Sequence, residues 1–364
     1  MEFYGIRDSA NQWFTNYLFE REQFVSINGI SSESSKILCG VPQGSVLGPL
    51  LFLIFINDLP NATEFFTLLF ADDTTFQLSG FDLDNLIEKA NVELEKASVW
   101  FMSNKLTLNV KKTKFMLFSE KNLQTNIELK IGGKSVEQVG QNCKEKYFKF
   151  VGHVIDDKLS WEGHVEHVSK KLASGNYAIN SSKHFLPLKL RLSLYYSLFD
   201  SHLTYGNLLW GCAKSKSLKK LENLQKRCIR NVALKKFKAH SEPIFKELGI
   251  LKLDDKLTLC RSVFMHQYRH DKLPPSFTGI FTDITNTEEL QIRHNDYNYI
   301  NKPANKKCLE SFPLKQILSN WNAQTIDLKS TGEEEEFKHF LIENLLSKYT
   351  YETDCPRYCY SCSE

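Results

Sequence analysis

The sequence predicts an α+β protein in which a half of mixed helices and strands is followed by a mostly helical half. Up to Ile155, segments with apolar residues at helical spacing alternate with short strand-like runs that are bounded by Gly, Pro, Asn and Asp. After Trp161 the apolar period becomes helical and stays so. The length of 364 residues, with 42% hydrophobic and 24% charged residues, is enough for two or three globular domains.

The chain begins with a predicted helix over Gly5–Arg21, which leads into a hairpin. One strand of this hairpin spans Gln23–Ile27, the turn is Asn28-Gly29, and the return strand spans Lys36–Cys39. Gly and Pro then crowd residues 40–49, which predicts a shaped loop. The apolar run Val46–Ile56 is too short to cross a bilayer, which needs about 20 residues, and we interpret it as a buried core helix.

A second hairpin follows, with Phe65–Phe70 as a buried strand and Thr74–Leu78 as its partner, so that Asp72 and Asp73 fall in a tight turn. A long amphipathic helix, capped by Asp82, is predicted over Asp82–Leu106. The later predicted elements are a strand over Lys114–Phe118, a hairpin over Leu129–Val139 around Gly132-Gly133, a strand over Tyr147–Ile155, helices over 161–184, 188–205 and 217–234, and a closing helix over Glu333–Tyr349.

Charge is distributed unevenly along a chain of formal net charge +3. The segment Lys214–Lys238 holds ten basic residues against the single acid Glu222. Such a strip attracts polyanions, because nucleic-acid binding gains affinity chiefly from phosphate neutralisation. The alternative for this segment is an ordinary solvated helix face.

Two adjacent carboxylates, Asp72 and Asp73, stand at the predicted strand end. Carboxylate oxygens suit Mg²⁺, although an Asp pair in a turn is more often there for turn chemistry. The loop upstream favours a site, since its glycines allow a substrate to approach the backbone closely and Gln43 offers a donor and acceptors. Together, the aspartate pair and the loop indicate a functional site more specifically than either segment does alone.

These residues resemble the reverse transcriptases of non-LTR retrotransposons, especially the jockey-like elements. The resemblance covers residues 1 to about 235 and is looser beyond. It rests on six segments in one order: Pro42–Phe52 (PQGSVLGPLLF), Ile56–Leu59, Phe70–Asp73 (FADD), Leu108–Lys114, Phe150–His153 and Leu159–Trp161.

The resemblance implies RNA- or DNA-templated DNA synthesis, with two Mg²⁺ ions assisting attack of a DNA primer's 3′-hydroxyl on a deoxynucleoside triphosphate. It implies an incomplete polymerase palm over 1–155, with an antiparallel sheet and no fingers, a helical thumb over 156–236, and a helical or irregular region over 237–364. The residues matched to family roles are Asp72, Asp73 and Lys112 for catalysis, with Asp72 and Asp73 as metal ligands; Gln43, Gly44, Ser45, Phe70 and Ala71 near nucleotide and template; Phe150, Val151 and Gly152 in the primer grip; and Lys219, Lys226, Arg227 and Arg230 near the nucleic-acid backbone.

One family feature is not found in the sequence. The palm of these enzymes has a third carboxylate, on a strand of the form Phe-x-x-Asp, and no early acid of this chain has that context. The sequence therefore resembles a truncated, catalytically incomplete copy of an RNA-directed DNA polymerase. The alternative is a catalytically silent remnant that still binds nucleic acid.

The cysteines predict thiols rather than disulfides, because nine of them are widely scattered and no basic, apolar leader is evident. We expect an intracellular protein without a membrane segment, and the sequence does not distinguish nucleus from cytoplasm. Cys355, Cys359 and Cys362 supply three thiolates, but zinc prefers four ligands, so we do not expect a zinc site. His164 and His167 are interpreted as surface or packing residues of a helix.

Overall fold

The computed structural model describes residues 2–119, 127–282, 297–300 and 312–350. The chain divides into two compact units. The first comprises residues 1–117 and 121–138, and the second comprises residues 118–120 and 139–364. Helices and small antiparallel sheets make up the fold, as the α+β prediction requires. Among the helices that the structure describes, none combines the length and the apolar character needed to span a membrane.

The described residues of the first unit form three α-helices and nine short strands. The helices are α1 (Asp8–Leu18), α2 (Gly48–Ile56) and α3 (Leu83–Ser103). The strands are β1 (Glu22–Gln23), β2 (Ser26–Ile27), β3 (Ile30–Ser31), β4 (Ser35–Lys36), β5 (Phe66–Phe70), β6 (Asp73–Gln77), β7 (Lys114–Met116), β8 (Leu129–Ile131) and β9 (Lys134–Val139).

The N-terminal hairpin is shorter than predicted. β2 pairs with β3 around the Asn28-Gly29 turn, and β1 pairs with β4 through the register Glu22 opposite Lys36. The predicted return strand Lys36–Cys39 therefore ends at its first residue. Each of these strands has only two residues and both faces are exposed, so no hydrophobic pattern extends the pairing.

The core of the first unit lies between α2, α3 and one face of the β5–β6 hairpin. Ile56, Leu59, Ala97 and Phe101 are buried there, and the partly buried side chains that pack against them include Leu69 and Phe76. The other face of the hairpin and one side of α2 are exposed, so the predictions of a buried strand and a fully buried core helix were wrong. The exposed side chains are Leu50, Leu53, Phe55, Phe66, Leu68 and Phe70.

Two local predictions in this unit are confirmed. The carboxylate of Asp82 accepts a hydrogen bond from the amide of Asn85 at 3.0 Å, which is the expected N-cap of α3. β8 and β9 form an antiparallel hairpin in which Ile131 lies opposite Lys134, so that Gly132 and Gly133 make the turn. The sheet continues to β7, in the order β7-β9-β8.

The second unit begins with a hairpin where the sequence predicted one strand. β10 (Phe148–Phe150) pairs with β11 (His153–Ile155). The turn residues Val151 and Gly152 have φ angles of 41° and 79°. Glycine adopts this left-handed conformation without a steric penalty, and the chain reverses at this point.

Helices make up the rest of the described second unit. They are α4 (Glu162–Ser182), α5 (Leu188–Tyr195), α6 (Ser201–Thr204), α7 (Asn207–Trp210), α8 (Ser215–Val232), α9 (Ser241–Glu247), α10 (Leu253–Arg269), α11 (Pro313–Asn322), α12 (Ile326–Lys329) and α13 (Glu334–Ser347). A π-helical turn at Tyr196–Asp200 lies between α5 and α6, where one helix was predicted.

One large core joins these helices. α4 packs along α8, and α10 packs against α11 and α13. Tyr195, Phe199, Trp210, Trp321 and Phe337 are fully buried in this core. The predicted cysteine cluster Cys355, Cys359 and Cys362 lies outside the described residues.

Candidate functional site

Asp72 and Asp73 lie at the end of the β5–β6 hairpin. Phe70 pairs with Asp73, so the turn consists of Ala71, with a φ angle of 52°, and Asp72. The predicted strand boundary is therefore corrected by one residue, because Asp73 begins β6 and does not belong to the turn. Both aspartates are exposed, and neither carboxylate has a hydrogen bond or ion pair with any residue that the structure describes.

The exposed face of this hairpin carries the second aspartate. Directly opposite residues of an antiparallel pair project from the same face, so Asp73 shares its face with Phe70. Phe70 is 63% exposed, and the helices α2 and α3 cover the opposite face. The Asp73 carboxylate is thus accessible to a ligand.

The loop before α2 is held in shape by Ser45. Its hydroxyl donates to the carbonyl of Pro42 at 2.8 Å and accepts from the amide of Gly48 at 3.0 Å. A Cβ atom on Gly48 would stand 3.0 Å from that hydroxyl, so the glycine permits the turn into the helix. Gln43 and Gly44 are exposed, whereas the Ser45 hydroxyl is engaged inside the loop. The geometry gives Ser45 a structural role.

Lys112 is exposed in a turn before β7. Its amide donates to the carbonyl of Asn109 at 3.0 Å. A cleft of about 560 Å³ lies next to this turn, and its lining includes Lys111 and Lys134 but not Lys112. Lys134 comes from the β8–β9 hairpin, 22 positions after Lys112 in the chain. Local sequence reasoning therefore missed it.

The turn of the β10–β11 hairpin is fastened by side chains from elsewhere in the second unit. The Tyr205 hydroxyl donates to the carbonyl of Val151 at 2.8 Å, and Nδ1 of His153 donates to the same carbonyl at 3.2 Å. A Cβ atom on Gly152 would stand 3.0 Å from the ring of Tyr205, so this residue must be small. Val151 and Gly152 thus form a turn that these side chains hold in place, and Phe150 is the last residue of β10 before it.

Two buried histidines support this hairpin. Nδ1 of His164 accepts a hydrogen bond from the amide of Val154 at 3.2 Å, so the His164 ring carries its proton on Nε2. Burial, together with the nearby His153 and His167, lowers the pKa of His164 to about 4. The packing interpretation of His164 is confirmed, since it is 2% exposed. A ring protonated on Nε2 is not arranged as a metal ligand through that atom.

Acidic residues neutralise part of the Lys214–Lys238 strip. Lys219 pairs with Glu222 at 2.9 Å, Lys226 pairs with the same carboxylate, and Lys214 pairs with Glu162 at 2.7 Å. Lys220 pairs with Glu166. Glu162 and Glu166 belong to α4, about 50 residues earlier, so the count of one acid within the strip was an incomplete measure of its charge.

The two arginines of the strip are also engaged. Nε of Arg230 donates to the carbonyl of Ala239 at 2.6 Å, and burial lowers the pKa of this guanidinium. The guanidinium of Arg227 lies 5.9 Å from the ring centre of Phe237. The hydrogen bond from Arg230 to Ala239 therefore gives this arginine a structural role, which nucleic-acid binding at the surface would not require.

Among the described residues, Asp72 and Asp73 are the candidate metal ligands that the sequence predicted. Within residues 2–119, 127–282, 297–300 and 312–350, no cluster of three or more His, Cys, Asp or Glu side chains is arranged to hold an ion. Two exposed carboxylates at one turn supply hard oxygen ligands of the kind that Mg²⁺ prefers, and water completes its coordination in many proteins. The two aspartates therefore fit Mg²⁺ chemically. They supply fewer protein ligands than the two-ion site that the family resemblance implies.

A family comparison identifies the first part of the chain. Residues 2–155 match the family described as Reverse transcriptase (RNA-dependent DNA polymerase). The matched range contains the Pro42–Phe52 loop and the Phe70–Asp73 turn. This part of the chain is thus similar to the reverse transcriptases.

Proteins similar to the chain include polymerases of mobile elements from Drosophila melanogaster. The chain is 24% identical over 264 residues to the RNA-directed DNA polymerase from mobile element jockey, which covers 69% of the chain and 28% of that protein. It is 22% identical over 279 residues to the probable RNA-directed DNA polymerase from transposon BS, covering 73% of the chain and 29% of that protein. The predicted resemblance to jockey-like elements is confirmed.

The chain spans less than a third of the length of these curated relatives. No solved structure gives a significant match.

Proposed function

We propose that the chain is the metal- and template-binding part of an RNA-directed DNA polymerase of a jockey-like non-LTR retrotransposon. The observation that carries this proposal is the exposed pair Asp72 and Asp73 at the end of the β5–β6 hairpin, within the matched reverse-transcriptase segment. A carboxylate pair without internal partners is costly to place side by side unless a cation or solvent compensates its charge.

Asp72 and Asp73 are the residues that would hold Mg²⁺. When bound, Mg²⁺ supplies Lewis-acid stabilisation of the charge that develops on phosphoryl oxygens. The protein residues contribute position: the two aspartates are adjacent at the end of the hairpin, and the Asp73 side chain lies on the exposed face beside Phe70. Ala71 and Phe70 would contact the nucleotide or template from that face.

The substrates implied are an RNA template, a DNA primer and deoxynucleoside triphosphates. Gln43 and Gly44 are exposed on a loop whose shape depends on Ser45, which supports contact with nucleotide or template. Lys112 is exposed and available to a leaving pyrophosphate. Phe150, Val151 and Gly152 would grip the primer from a turn that Tyr205 stabilises.

We also propose how the chain divides into domains. Residues 1–155 would form a partial palm, residues 156–236 a thumb and residues 237–364 a C-terminal region. Lys219, Lys226, Arg227 and Arg230 lie on or near α8 of the thumb, where Lys219 remains 61% exposed although it pairs with Glu222. Lys219 and Arg227 are the exposed members of this set and are therefore better placed to reach a phosphate than Lys226 and Arg230.

The absence of a third carboxylate in the described donor set favours the alternative function, a catalytically silent module that binds nucleic acid. Positioning both ions accounts for most of the catalysis in phosphoryl transfer. A pair of carboxylates alone binds a single ion weakly. We therefore expect the chain to bind Mg²⁺ and template–primer and to be unable to extend the primer alone.

Primer extension and metal titration test these functions together. The full chain is incubated with an annealed RNA–DNA substrate, deoxynucleoside triphosphates and Mg²⁺ or Mn²⁺, and Mn²⁺ binding is followed by water-proton relaxation. We expect D72N/D73N to abolish Mn²⁺ binding, and D58N/D84N, which removes two exposed carboxylates elsewhere in the first unit, to leave it unchanged. Extension that D72N abolishes would assign the chain complete polymerase activity and overturn the silent alternative. Metal binding unaffected by D72N/D73N would overturn the proposed site.

A further inference from the structure

A cleft of about 360 Å³ lies at the C-terminal end of α10 in the second unit. Its described lining comes from the last turn of α10, from residues 271–282 and from Tyr299. The volume lies within the range of roughly 300–1,000 Å³ that small-molecule sites occupy. These residues lie outside the segment 2–155 that matches the reverse-transcriptase family. A function of the cleft is therefore independent of the proposed polymerase function.

Aromatic rings line the cleft in fixed orientations. The Tyr268 hydroxyl donates to the carbonyl of Phe281 and accepts from the amide of the same residue, both at 3.3 Å. The rings of Tyr268 and Phe281 meet edge to face, with 4.8 Å between their centres. Phe277 also lines the cleft, and its ring meets that of Phe264 in the same way at 5.6 Å. Rings held by such contacts offer a preformed apolar surface to the side chain of a ligand.

Arg269 brings a guanidinium to this cleft. The centre of this group lies over the Tyr297 ring, 4.3 Å from the ring centre, which restricts the side chain. Arg269 is half-buried, and its guanidinium has no hydrogen bond or ion pair with any residue that the structure describes. A guanidinium presents a planar fork of N–H donors that matches the geometry of a carboxylate. Arg269 is therefore available to bind a carboxylate of a ligand.

Asp271 brings the opposite charge to the same cleft. It has a φ angle of 52°, and its amide donates to the carbonyl of Tyr268 at 3.2 Å. Its carboxylate forms no ion pair with Arg269 or with another cation in the described parts of the chain. Arg269 and Asp271 are the charged residues of the described lining, which therefore has no net charge. Two opposite charges that share a cleft without pairing match a ligand that carries both charges.

We propose that this cleft, here called the Arg269 cleft, binds a free α-amino acid with an aromatic or branched apolar side chain. Arg269 binds the α-carboxylate, and Asp271 binds the α-ammonium group. The aromatic rings pack against the side chain of the ligand. Thr278 and Thr282 also line the cleft and add hydroxyl donors for the carboxylate.

Other ligand classes match the charges of the Arg269 cleft less well. A phosphate monoester carries about 1.5 to 2 negative charges at neutral pH, and Asp271 repels this excess. A carboxylate without an ammonium group leaves Asp271 without a partner, and an amine without a carboxylate leaves Arg269 without one. The C-terminal residue of a peptide has an amide N–H in place of the ammonium group, so its hydrogen bond to Asp271 is weaker.

Saturation-transfer NMR on the full chain tests the ligand class with five probes: L-phenylalanine, phenylpropionate, phenethylamine, N-acetyl-L-phenylalanine and adenosine monophosphate. We expect phenylalanine to bind with a Kd of about 1 mM, as its small size allows. The other probes should bind about 10-fold more weakly, because each lacks one charge-assisted contact or carries excess negative charge. No binding of phenylalanine at about 5 mM would overturn the proposal. Equal binding of N-acetyl-L-phenylalanine would assign the cleft to a peptide C-terminus, tighter binding of adenosine monophosphate would assign it to nucleotides, and either result would overturn the proposal as well.

The variants R269Q and D271N test the two charges separately. In R269Q we expect phenylalanine to bind no better than phenethylamine, and in D271N no better than phenylpropionate, a pattern that a merely structural role of these residues would not produce. The control D327N/K348Q removes one exposed acid and one exposed lysine elsewhere in the second unit and should bind phenylalanine like the unaltered chain. Circular dichroism checks that each variant keeps its fold. Unchanged binding of phenylalanine in R269Q/D271N would overturn the Arg269 cleft and leave the proposed polymerase function untouched.

Discussion

The hydroxyl of Tyr205 donates a hydrogen bond to the carbonyl of Val151, 2.8 Å away, and so fastens the β10–β11 turn to the end of α6. The two residues are 54 positions apart. The same carbonyl accepts from Nδ1 of His153, so the turn is held from both sides. This turn is the one that the family resemblance assigns to the primer grip.

Removing the hydroxyl in Y205F is expected to loosen the turn without unfolding the unit. Because Val151 keeps its second donor, the loss is that of one net hydrogen bond, about 1 kcal/mol. Amide exchange at Val154 measures it, and we expect faster exchange in Y205F. Y177F is the control, since Tyr177 is 74% exposed and its hydroxyl has no hydrogen bond within the described structure. If the Val154 amide exchanged equally fast in Y205F and Y177F, Tyr205 would not hold the turn in place.

Gly206 should tolerate no side chain. A Cβ atom there would stand 1.8 Å from Nε2 of His153, and the residue has a φ angle of 61°. We expect G206A to lower the free energy of unfolding of the second unit by more than about 3 kcal/mol, as severe overpacking does. G249A separates the two causes, because Gly249 has a φ angle of 64° with nothing within 4 Å of its Cβ position. G249A should lower the free energy of unfolding only by the cost of placing alanine in the left-handed conformation, about 1 to 2 kcal/mol. Urea unfolding of both variants would contradict this account if their midpoints coincided.

The stability of the second unit should decrease in mild acid because of His164. Its pKa is about 4 when folded, lowered chiefly by burial, against about 6.5 when unfolded. The unfolded chain therefore binds more protons between these values, and stability present above pH 6.5 is lost as the pH falls towards 4. Between pH 7.5 and 5 this group accounts for about 2 kcal/mol.

The variant H164N keeps an acceptor near the Val154 amide and removes the titration. We expect its unfolding free energy to vary less with pH than that of the unaltered chain, by the amount given above. H339Q, at a histidine that is 75% exposed, should behave like the unaltered chain. Parallel pH profiles for H164N and the unaltered chain would show that His164 does not cause the acid sensitivity.

Glu222 should weaken nucleic-acid binding by the strip. Its carboxylate pairs with both Lys219 and Lys226, and these lysines lower its pKa against the opposing effect of burial. In E222Q both lysines are released for phosphates, so we expect tighter binding and a salt slope steeper by about 0.9 to 1.8. E343Q, at a carboxylate that is 66% exposed, is the matched control for charge. Unchanged affinity in E222Q would show that the strip does not contact the nucleic acid.

The order of helices and strands could be predicted because it depends on local patterns. Apolar spacing and the Asp82 cap predicted α3, and the Gly132-Gly133 turn predicted the β8–β9 hairpin. Burial of β5 could not be predicted, because an apolar run such as Phe66–Phe70 gives the same sequence pattern whether one face of the strand is covered or both. Here the helices cover only the face that carries Leu69.

The residues of the candidate site could likewise be predicted only where they lie close together in the chain. Asp72 and Asp73 could be identified from the sequence because the two residues are adjacent in the chain, at the end of one hairpin. The cleft beside Lys111 could not, because its other lysine, Lys134, comes from a separate hairpin.

By itself the sequence determined which family segments this protein contains and where its cations are concentrated along the chain, since motifs and charge counts depend only on residue order. The tertiary structure decided which of those cations remain available. Glu162 and Glu166 of α4 approach Lys214 and Lys220 of α8, whereas the exposed Arg227 of α8 forms no ion pair with a carboxylate among the described residues. The physical reason is that electrostatic compensation depends on distance in space, and helix packing brings together charges that lie about 50 residues apart in the chain.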